Sequence, residues 1–444
     1  MAEEADFGAQ RGKPQRKHDR RVLSRAPNSA LDQRMSVTAT ATAPVTATPA
    51  SPEAFSKLLD TADRVADELR RTAAERDKAN ATPRAEIELL RQNDLLQVQE
   101  PVEYGGSGLN FAQAAQIIRR IARGDTSIAH LIGYHYAQTR VAGLFGTPAQ
   151  ADAQSRRNAS EKLFWGGIQN PRGGSALVLT RDGDGFRLNG YRSFASGAST
   201  GDQLSVTAAL EGELVFLSLD VRGGRQGFTF LDDWDNIGQR LTDSGGVRVT
   251  DARIEHHEVL GEEPFIGNTL TPYQTLITPH WQLAFVNFYV GTAEGALAEA
   301  LDWTRAYASP WESSGVERAT DDPYILHTVG ELVSEVRAAA LLADRAGDAL
   351  QAAVDFGPSL TEDQRAEAAI AVYEAKYLST KVSLEAASRL FEIQGARATT
   401  SAYGFDRHWR NLRTHTLHDP VAYKAREVGD WVLNHRHPEF SLYR

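Results

Sequence analysis

Residues 176–198 read ALVLTRDGDGFRLNGYRSFASGA, and their pattern differs from that of the chain on either side. Short alternating apolar runs are broken by Asp-Gly and Asn-Gly pairs, which is typical of antiparallel strands joined by tight turns. The same pattern continues at 202–210, 213–221 and 246–255. We therefore predict a middle β domain over residues 159–268, with hairpins at the DGDG and NG positions.

The flanking sequence has the period of amphipathic helices. In the stretch FSKLLDTADRVADELRRTAAERDKAN (55–80), apolar residues recur every three or four positions with charges between them. Long Ala-rich stretches with this period return after the β region. The sequence therefore predicts a mainly α fold with a central β domain, in which an N-terminal helical domain (53–158) and a C-terminal helical bundle (269–444) flank the strands. Residues 1–52 are polar, then rich in Ser, Thr, Ala and Pro, and we predict a disordered tail there.

Composition excludes several classes of function. The 444-residue chain contains no cysteine, which excludes disulfides, thiolate metal sites, iron–sulfur clusters and a cysteine nucleophile. Its net charge of −10 does not favour binding to nucleic acid. The sequence has no apolar run of the roughly 18 residues that a membrane span needs, and no segment with the order of a secretory signal. We expect a cytoplasmic protein without nucleic-acid or membrane partners.

The stretch RNLRTHTLHDP (410–420) holds a histidine pair, His415 and His418, three residues apart on one predicted helical face. Imidazole titrates near neutral pH, so such a pair suits proton transfer. No HExxH pattern or supporting carboxylate spacing accompanies the pair, and we expect no metal there. A simpler interpretation is that His415 caps the helix as a cation. Likewise, Asp419 has a simpler role as the salt-bridge partner of Arg413 or Lys424.

Three other stretches have residues suited to chemistry. In NGYRSFASGA, Phe194 and Ser196 would face the same side of a strand, unless the segment is only a strand end and a turn. The Gly-rich GGIQNPRGGS (166–175), which ends at Ser175, suits a phosphate or the edge of a flavin, but it is equally consistent with an ordinary loop. The stretch TSIAHLIGYHYAQTRVAGLFG (126–146) predicts one buried helix, whose His130, Tyr134 and His135 are usually satisfied core polar groups.

Taken together, these motifs resemble the acyl-CoA dehydrogenase superfamily over residues 53–440. NPRGGS stands where that family has a flavin loop, FASGA where it has an aromatic and a hydroxyl residue at the flavin, and IQGARA (393–398) where it has a C-terminal cofactor segment. YHYAQT, WDNIGQRLTDSGG, ATDDPY and YGFDRHWRNLRTHTLHDPVAYK are similar to the flavin-dependent monooxygenase branch, typified by dibenzothiophene monooxygenase. The resemblance implies an N-terminal helical domain, an antiparallel β-barrel-like middle domain and a C-terminal helical bundle.

The resemblance also distinguishes between two reactions. A dehydrogenase of this family needs a carboxylate base, but the matching place reads His418-Asp419-Pro420, and the helix around 280–292 has no carboxylate. We therefore expect a two-component monooxygenase that acts in sulfur metabolism. It would transfer one oxygen atom from a flavin C4a-hydroperoxide to a small organosulfur substrate. The alternatives are an N-hydroxylating monooxygenase of an amine, an acyl-CoA dehydrogenase, and a non-catalytic flavin-binding or scaffold protein.

The resemblance assigns roles residue by residue. The catalytic residues would be His418, Ser196 and Tyr134. The cofactor-binding residues would be Gly167, Ile168, Gln169, Ser175, Phe194, Ala195, Ser196, Gly395, Ala396, Arg397 and His415. The expected cofactor is reduced FMN, with FAD as the alternative, and a separate NAD(P)H:flavin reductase would supply it. The expected assembly is a homotetramer in which Arg397 reaches a neighbour's flavin.

Two positions depart from the family pattern. Ile168 occupies the place of an asparagine near the reacting oxygen, and Asn170 lies two residues further on. Ser309 precedes Pro-Trp where the family has an arginine that approaches the flavin phosphate. Arg305 or Arg397 is expected to compensate, because a guanidinium group suits phosphate.

Overall fold

The fold is described from a computed structural model that covers residues 50–170, 176–263, 265 and 270–442. The predicted disordered tail therefore lies outside the described residues up to position 49, and so does Ser175 of the predicted flavin loop. Across the described ranges, none of the helices combines the length and the apolar character that crossing a membrane requires.

The first part of the described chain is helical, as predicted. Its helices are α1 (Pro52–Ala79), α2 (Arg84–Gln92), α3 (Phe111–Ala122), α4 (Thr126–Gln138), α5 (Val141–Phe145) and α6 (Pro148–Glu161). Asp125 caps α4, because its side chain accepts hydrogen bonds from the backbone N–H groups of Ser127 (2.9 Å) and Ile128 (3.2 Å). The single helix expected at 126–146 is interrupted after Gln138. There the Thr139 hydroxyl donates to the Tyr136 carbonyl (3.0 Å), a local bond that competes with helical pairing.

The middle part forms one mixed sheet. Its strands are β1 (Trp165–Ile168), β2 (Val178–Asp182), β3 (Gly185–Arg192), β4 (Gln203–Leu210), β5 (Glu213–Asp220), β6 (Phe228–Phe230) and β7 (Val247–Ile254). The order is β1-β4-β2-β3-β7-β6, and β5 pairs with β4. Most pairings are antiparallel, as expected, but β1 and β2 pair with β4 in parallel at its two ends. The apolar faces of these strands enclose their own core.

One of the two predicted hairpins is confirmed, and the other is wrong. The DGDG stretch turns between β2 and β3, where Asp182 pairs with Gly185. The Asn189–Gly190 pair instead lies inside β3, where the register against β7 shifts. The Asn189 side chain accepts a hydrogen bond from the backbone of Asp251 (2.7 Å) across the strands. An Asn-Gly pair permits a turn, but here the partner strand β7 stabilises a bulge at that position.

The last part is helical again, with α7 (Ile277–Tyr307), α8 (Pro323–Asp355), α9 (Glu362–Gln394), α10 (Asp406–His415) and α11 (Val421–Asn434). The first half of α7 is buried almost all round, because it packs against α3, α4 and α9. A helix that is apolar on every face belongs in a core. It contributes Phe285, Phe288 and Tyr289 to the main core, which Leu412 of α10 also joins. The order of helices, sheet and helices is therefore as the sequence predicts.

Candidate active site

The two predicted histidines meet at the end of α10. His415 is its last residue, and His418 lies in the turn that follows, where its backbone N–H donates to the His415 carbonyl (2.9 Å). The two imidazole rings stack with centroids 5.5 Å apart and an angle of 7° between their planes. The pair therefore shares one side of the chain, although His418 is outside the helix.

His415 is enclosed by aromatic side chains of α4 and α7. Its Nδ1 is 2.7 Å from the Tyr289 hydroxyl, and its Nε2 is 3.5 Å from the Tyr134 hydroxyl. The rings of Phe285 and Phe288 meet it edge to face, with centroids 4.6 and 4.7 Å away. Burial lowers the pKa of His415 well below its usual value, because a buried imidazole resists protonation, and its neighbours His130, His418 and Lys376 act in the same direction. His415 is therefore neutral near pH 7, and its alternative role as a cationic helix cap is wrong.

His130 belongs to the same cluster. Its ring lies 4.1 Å from that of Tyr134 and 4.7 Å from that of His415, measured between centroids. Its Nδ1 is 3.0 Å from the side-chain oxygen of Gln239. Burial lowers the pKa of His130 to about 3. Its Nε2 has no hydrogen-bond partner among the described residues, which distinguishes it from a fully satisfied core histidine.

His135, the other histidine of α4, has the structural role that the sequence analysis expects. Its Nε2 lies 2.6 Å from the Leu96 carbonyl, and its Nδ1 accepts a hydrogen bond from the backbone of Trp165 (3.1 Å). Both ring nitrogens are therefore occupied, and we assign His135 to the core.

A chain of hydroxyl groups leads from Ser196 toward the histidines. The Ser196 and Ser244 oxygens are 2.7 Å apart, and those of Ser244 and Thr242 are also 2.7 Å apart. The Thr242 hydroxyl donates to the backbone carbonyl of Gln239 (2.8 Å), whose side chain contacts His130. The loop that precedes β7 therefore connects the predicted catalytic serine with the cluster.

Phe194 lies in a turn after β3 and has a left-handed backbone, with φ of 58°. The expectation that Phe194 and Ser196 share one strand face is therefore wrong, because β3 ends at Arg192. The Phe194 side chain is 57% exposed, and its ring meets that of Trp234 at 5.7 Å, while Ser196 is buried. A bulky residue with positive φ is rare outside functional sites.

Strand β1 packs directly against this turn. A Cβ atom on Gly166 would lie 2.2 Å from the Gly197 carbonyl oxygen, so only glycine permits the approach. The Gly167 N–H donates to the Ser196 carbonyl (3.1 Å), and the Ala195 N–H donates to the Gly245 carbonyl (3.1 Å). Of the predicted cofactor-binding residues, Gly167, Phe194, Ala195 and Ser196 therefore lie together.

The side chains of two other predicted cofactor-binding residues, Ile168 and Gln169, have contacts outside the group formed by Gly167, Phe194, Ala195 and Ser196. Ile168 is fully buried in the core of the sheet, and the Gln169 amide donates to the Ser205 hydroxyl. Ile168 thus has no polar group to replace the family's asparagine. The nearby Asn170 side chain donates to the Ser193 carbonyl (3.4 Å), which leaves it next to the Phe194 turn.

The predicted C-terminal cofactor segment (393–398) lies at the C-terminal end of α7. Arg397 donates to the Tyr307 carbonyl, and its guanidinium lies 5.9 Å from the centre of the Trp303 ring. Trp303 follows Tyr289 by 14 positions, which is about 21 Å along a helix. Gly395, Ala396 and Arg397 are therefore not brought to the histidines of their own chain. Arg305, at the same end of α7, pairs with Asp302 (3.1 Å).

Asp419 is the carboxylate that contacts the histidine pair. It is buried, and it lies 3.2 Å from Nδ1 of His418, 3.5 Å from Lys376 and 3.7 Å from Lys424. The simpler interpretation of Asp419 as a partner of Lys424 is therefore correct, but it is incomplete. Burial by itself raises the pKa of Asp419. The combined effect of Lys376, His418 and Lys424 is larger and opposite, so the pKa of Asp419 lies far below its usual range.

The sequence analysis missed several residues of this site: Gln239, Ser244, Tyr289 and Lys376. Gln239 and Ser244 lie in WDNIGQRLTDSGG, a stretch singled out only for its resemblance. Tyr289 and Lys376 have no local signal, because each lies in a long helix whose buried side is not evident from its period. The described residues contain no group of three histidines or acidic side chains that could hold a metal ion.

Comparison with known proteins identifies the family. The family model "Acyl-CoA dehydrogenase, N-terminal domain" matches residues 53–161, and the model "Acyl-CoA dehydrogenase, C-terminal domain" matches residues 283–422. A probable FMNH2-dependent monooxygenase of Pseudomonas putida is 38% identical over 385 residues, which are 86% of this chain and 96% of that protein.

Two solved structures share the fold and much of the sequence. Methanesulfinate monooxygenase from Pseudomonas fluorescens is 38% identical, with a TM-score of 0.83, over 89% of this chain and 100% of its own. The FMN-bound structure of the dibenzothiophene monooxygenase from Paenibacillus sp. A11-2 is 35% identical, with a TM-score of 0.83, over 87% of this chain and 100% of its own. The chain belongs to the acyl-CoA dehydrogenase superfamily, in its branch of flavin-dependent monooxygenases related to dibenzothiophene monooxygenase.

Proposed function

We propose that this protein is a reduced-FMN-dependent monooxygenase that transfers one oxygen atom from O₂ to a small organosulfur compound. The observation that carries the proposal is the state of Asp419. Its carboxylate is held by Lys376, Lys424 and His418, so it is too weak a base to remove a proton from an acyl thioester. The site presents imidazoles where a dehydrogenase needs a carboxylate.

The residues present fit a flavin. The exposed ring of Phe194 is held against Trp234 and offers a face on which a flat cofactor can stack. Ser196, two residues after Phe194, supplies a hydroxyl group and begins a chain of hydroxyl groups, and buried His130 adds an Nε2 that has no partner among the described residues. Ser196, Phe194 and the backbone of Gly167 would hold FMN, which when bound supplies the activation of O₂.

The protein's own groups would manage protons and exclude water. The Nδ1–H group of His418 donates to Asp419, which orients the ring, and His418 would hold or move a proton beside the flavin. Its side chain is 35% exposed, whereas His415 behind it is buried. The aromatic wall of Tyr134, Phe285 and Trp281, in which Tyr134 and Trp281 meet at 4.7 Å, keeps water from the reacting atoms.

The same wall supports an uncharged, apolar sulfur compound as the substrate. Tyr134, Trp281 and Phe285 offer dispersion contacts, while the nearby ammonium of Lys376 is already paired with Asp419. Two relatives are described as acting on dibenzothiophene, which is uncharged and fits this wall, and on methanesulfinate, which is an anion and serves as the contrasting test compound. An amine would undergo N-hydroxylation by the same chemistry, and it is therefore the substrate to compare.

The partners follow from the same chemistry. The relative described as FMNH2-dependent supports delivery of reduced flavin by a separate NAD(P)H:flavin reductase. We propose that this delivery takes place in the cytoplasm. Exposed apolar side chains on α8, with Tyr324 82% and Leu341 71% exposed, support assembly into a homotetramer. In that assembly Arg397, which follows α9 and contacts the C-terminal end of α7, would approach the flavin of a neighbouring subunit. Light scattering of the purified protein measures the number of subunits directly.

The function is tested with isotopic oxygen. The protein, reduced FMN and a flavin reductase are supplied with ¹⁸O₂ and with dibenzothiophene, methanesulfinate or a primary amine. The ¹⁸O content of the products is then determined by mass spectrometry. We expect one ¹⁸O atom per transfer in a sulfur product. Formation of hydrogen peroxide alone, or anaerobic reduction of FMN by an acyl-CoA, would contradict the proposal.

Substitution of His418 is the matching mutational test. We expect His418→Asn to bind FMN normally but to form product about 10²- to 10⁴-fold more slowly, the usual contribution of a positioned acid or base. The control is His257→Asn, because His257 is exposed in the segment that follows β7 and has no part in the proposed site. Equal rates in both variants would assign His418 a structural role.

A further inference from the structure

We propose that Lys376 is a positioning residue that sets the proton arrangement of both active-site histidines: it acts on His415 through Tyr289 and on His418 through Asp419. Its importance for the reaction rests on the proposed function, whereas the proton arrangement itself is a property of the flavin-free protein. Lys376 lies on α9, outside every motif that links the sequence to its family.

The ammonium group of Lys376 lies between α7 and the turn after α10. Its side chain is 1% exposed. Nζ is 3.2 Å from the Tyr289 hydroxyl and 3.5 Å from the Asp419 carboxylate. It also lies 4.4 Å from the centre of the Phe285 ring and 4.7 Å from that of Tyr289, both on α7. Burial lowers the pKa of Lys376 to about 8, although Asp419 opposes the shift, so the group is mainly a cation at neutral pH.

The first arm of the arrangement runs through Tyr289. A lysine ammonium donates hydrogen bonds and cannot accept them, so the Tyr289 oxygen accepts from Lys376. Within the described part of the chain, the other hydrogen-bond contact of this hydroxyl is Nδ1 of His415, at 2.7 Å. The Tyr289 proton must therefore point to His415, whose Nδ1 is the acceptor.

This direction determines the tautomer of His415. Because the imidazole is neutral and its Nδ1 accepts, its proton is on Nε2. That N–H group points to the Tyr134 oxygen, 3.5 Å away. The Tyr134 oxygen is therefore the acceptor in its contact with His415, so the cation of Lys376 determines the direction of this row of hydrogen bonds as far as Tyr134.

The second arm runs through Asp419. Lys376 helps to keep this buried carboxylate ionised, and an ionised carboxylate accepts from Nδ1–H of His418 (3.2 Å). The same bond orients the ring of His418 and places a ring proton on Nδ1. Lys376 therefore contacts a partner of each histidine without touching either ring.

Lys424 provides a matched control within the same cluster. It is also buried, and it lies 3.7 Å from Asp419, but its ammonium faces the ring of Tyr373 (4.3 Å) rather than Tyr289. Replacing Lys424 removes one positive neighbour of Asp419 and leaves the contacts of Tyr289 in place. Both lysines contact Asp419, but only Lys376 is hydrogen-bonded to Tyr289 among the described residues. Comparing the two substitutions therefore separates the effect through Tyr289 from the effect through Asp419.

The test measures the tautomer of His415 in the flavin-free protein. Protein with ¹⁵N-labelled histidine is studied by NMR, since protonated and unprotonated ring nitrogens have widely different shifts. His415→Gln identifies the signal. We expect Nε2–H in the wild type and in Lys424→Met, and Nδ1–H or a mixture of tautomers in Lys376→Met. Tyr289→Phe, which preserves the ring and its packing, should show the same loss as Lys376→Met even if that variant folds poorly.

Kinetics with reduced FMN give the second readout. Where the tautomer is lost, we expect kcat to fall on the order of a hundredfold, as for other misplaced catalytic groups, while FMN affinity stays unchanged. Lys376→Met combined with Tyr289→Phe should leave the tautomer of His415 as in either single variant. An Nε2–H tautomer that persists in both single variants would overturn the inference. Because the NMR result requires no oxygenase activity, it stands apart from failure of the proposed function.

Discussion

Phe194 combines a backbone conformation that is unfavourable for its residue type with a ring that is exposed to solvent. Its φ of 58° lies in the left-handed region, which costs a residue with a Cβ atom about 1–2 kcal/mol. Burial does not repay this cost, because the side chain is 57% exposed. Backbone strain at an exposed aromatic residue is explained if the ring has a ligand to hold, and FMN is the ligand that we propose.

A pair of substitutions at Phe194 separates strain from binding. Phe194→Gly and Phe194→Ala both remove the ring, but only glycine removes the strain. We expect the glycine variant to be more stable than the alanine variant by about 1 kcal/mol, and both variants to lose FMN affinity to a similar extent. Urea denaturation and fluorescence titration with FMN measure the two effects. Equal stabilities would show that the turn is not strained.

At the scale of helices, the site depends on how closely α3 and α7 approach each other. A Cβ atom on Gly291 of α7 would lie 2.1 Å from the Arg119 carbonyl oxygen of α3. Because this oxygen belongs to the backbone, the clash could be relieved only by moving one of the two helices. Tyr289 precedes this contact by two residues on the same helix. The crossing of the two helices therefore determines where the partner of His415 is held.

We expect Gly291→Ala to destabilise the protein by about 1–3 kcal/mol, the usual cost of overpacking, and to reduce oxygenation by displacing Tyr289. The control is Gly143→Ala on the exposed side of α5, where an added Cβ would meet nothing within 4 Å. That variant should gain about 0.5–1 kcal/mol, because alanine loses less backbone freedom than glycine in a helix. Urea denaturation measures both changes, and a neutral Gly291→Ala would show that the crossing can relax.

For the molecule as a whole, buried neutral histidines link stability to pH. Burial lowers the pKa of His130 and His280 to about 3 and that of His135 to about 4. At a pH between these values and the usual histidine pKa of about 6.5, these histidines bind a proton in the unfolded chain but not in the folded chain. Stability must therefore fall as the pH drops below about 6.5, before most carboxylates begin to titrate.

The expected loss is about 1.4 kcal/mol for each such histidine at pH 5.5, one pH unit below the unfolded pKa. His280→Asn should remove its share, because asparagine does not titrate. The measurement is the free energy of unfolding in urea at pH 7.5 and 5.5. An unchanged pH dependence in His280→Asn would show that His280 takes up a proton in the folded state.

Much of the site could be predicted from the sequence, because its signals are local or belong to the family. Tyr134, Ser196, His415 and His418 stand in contiguous motifs, and the structure joins them through one network of hydrogen bonds and ring contacts. The roles of these residues, the domain boundaries and the part played by Arg397 in a neighbouring subunit stay predictions. Ser175 lies outside the described residues.

The sequence by itself determined the order of helices, sheet and helices, the DGDG hairpin and the family, since period, turn residues and motifs depend on neighbours along the chain. Only the tertiary structure decided that Asn189–Gly190 forms a bulge, because the partner strand stabilises it. Only the tertiary structure placed Lys376 in contact with Tyr289 and Asp419, the partners of the two histidines. Tyr134 and His415 are separated by 281 positions, and Tyr289 and Lys376 by 87. Such contacts arise when helices pack and exclude water, so no local pattern in the sequence records them.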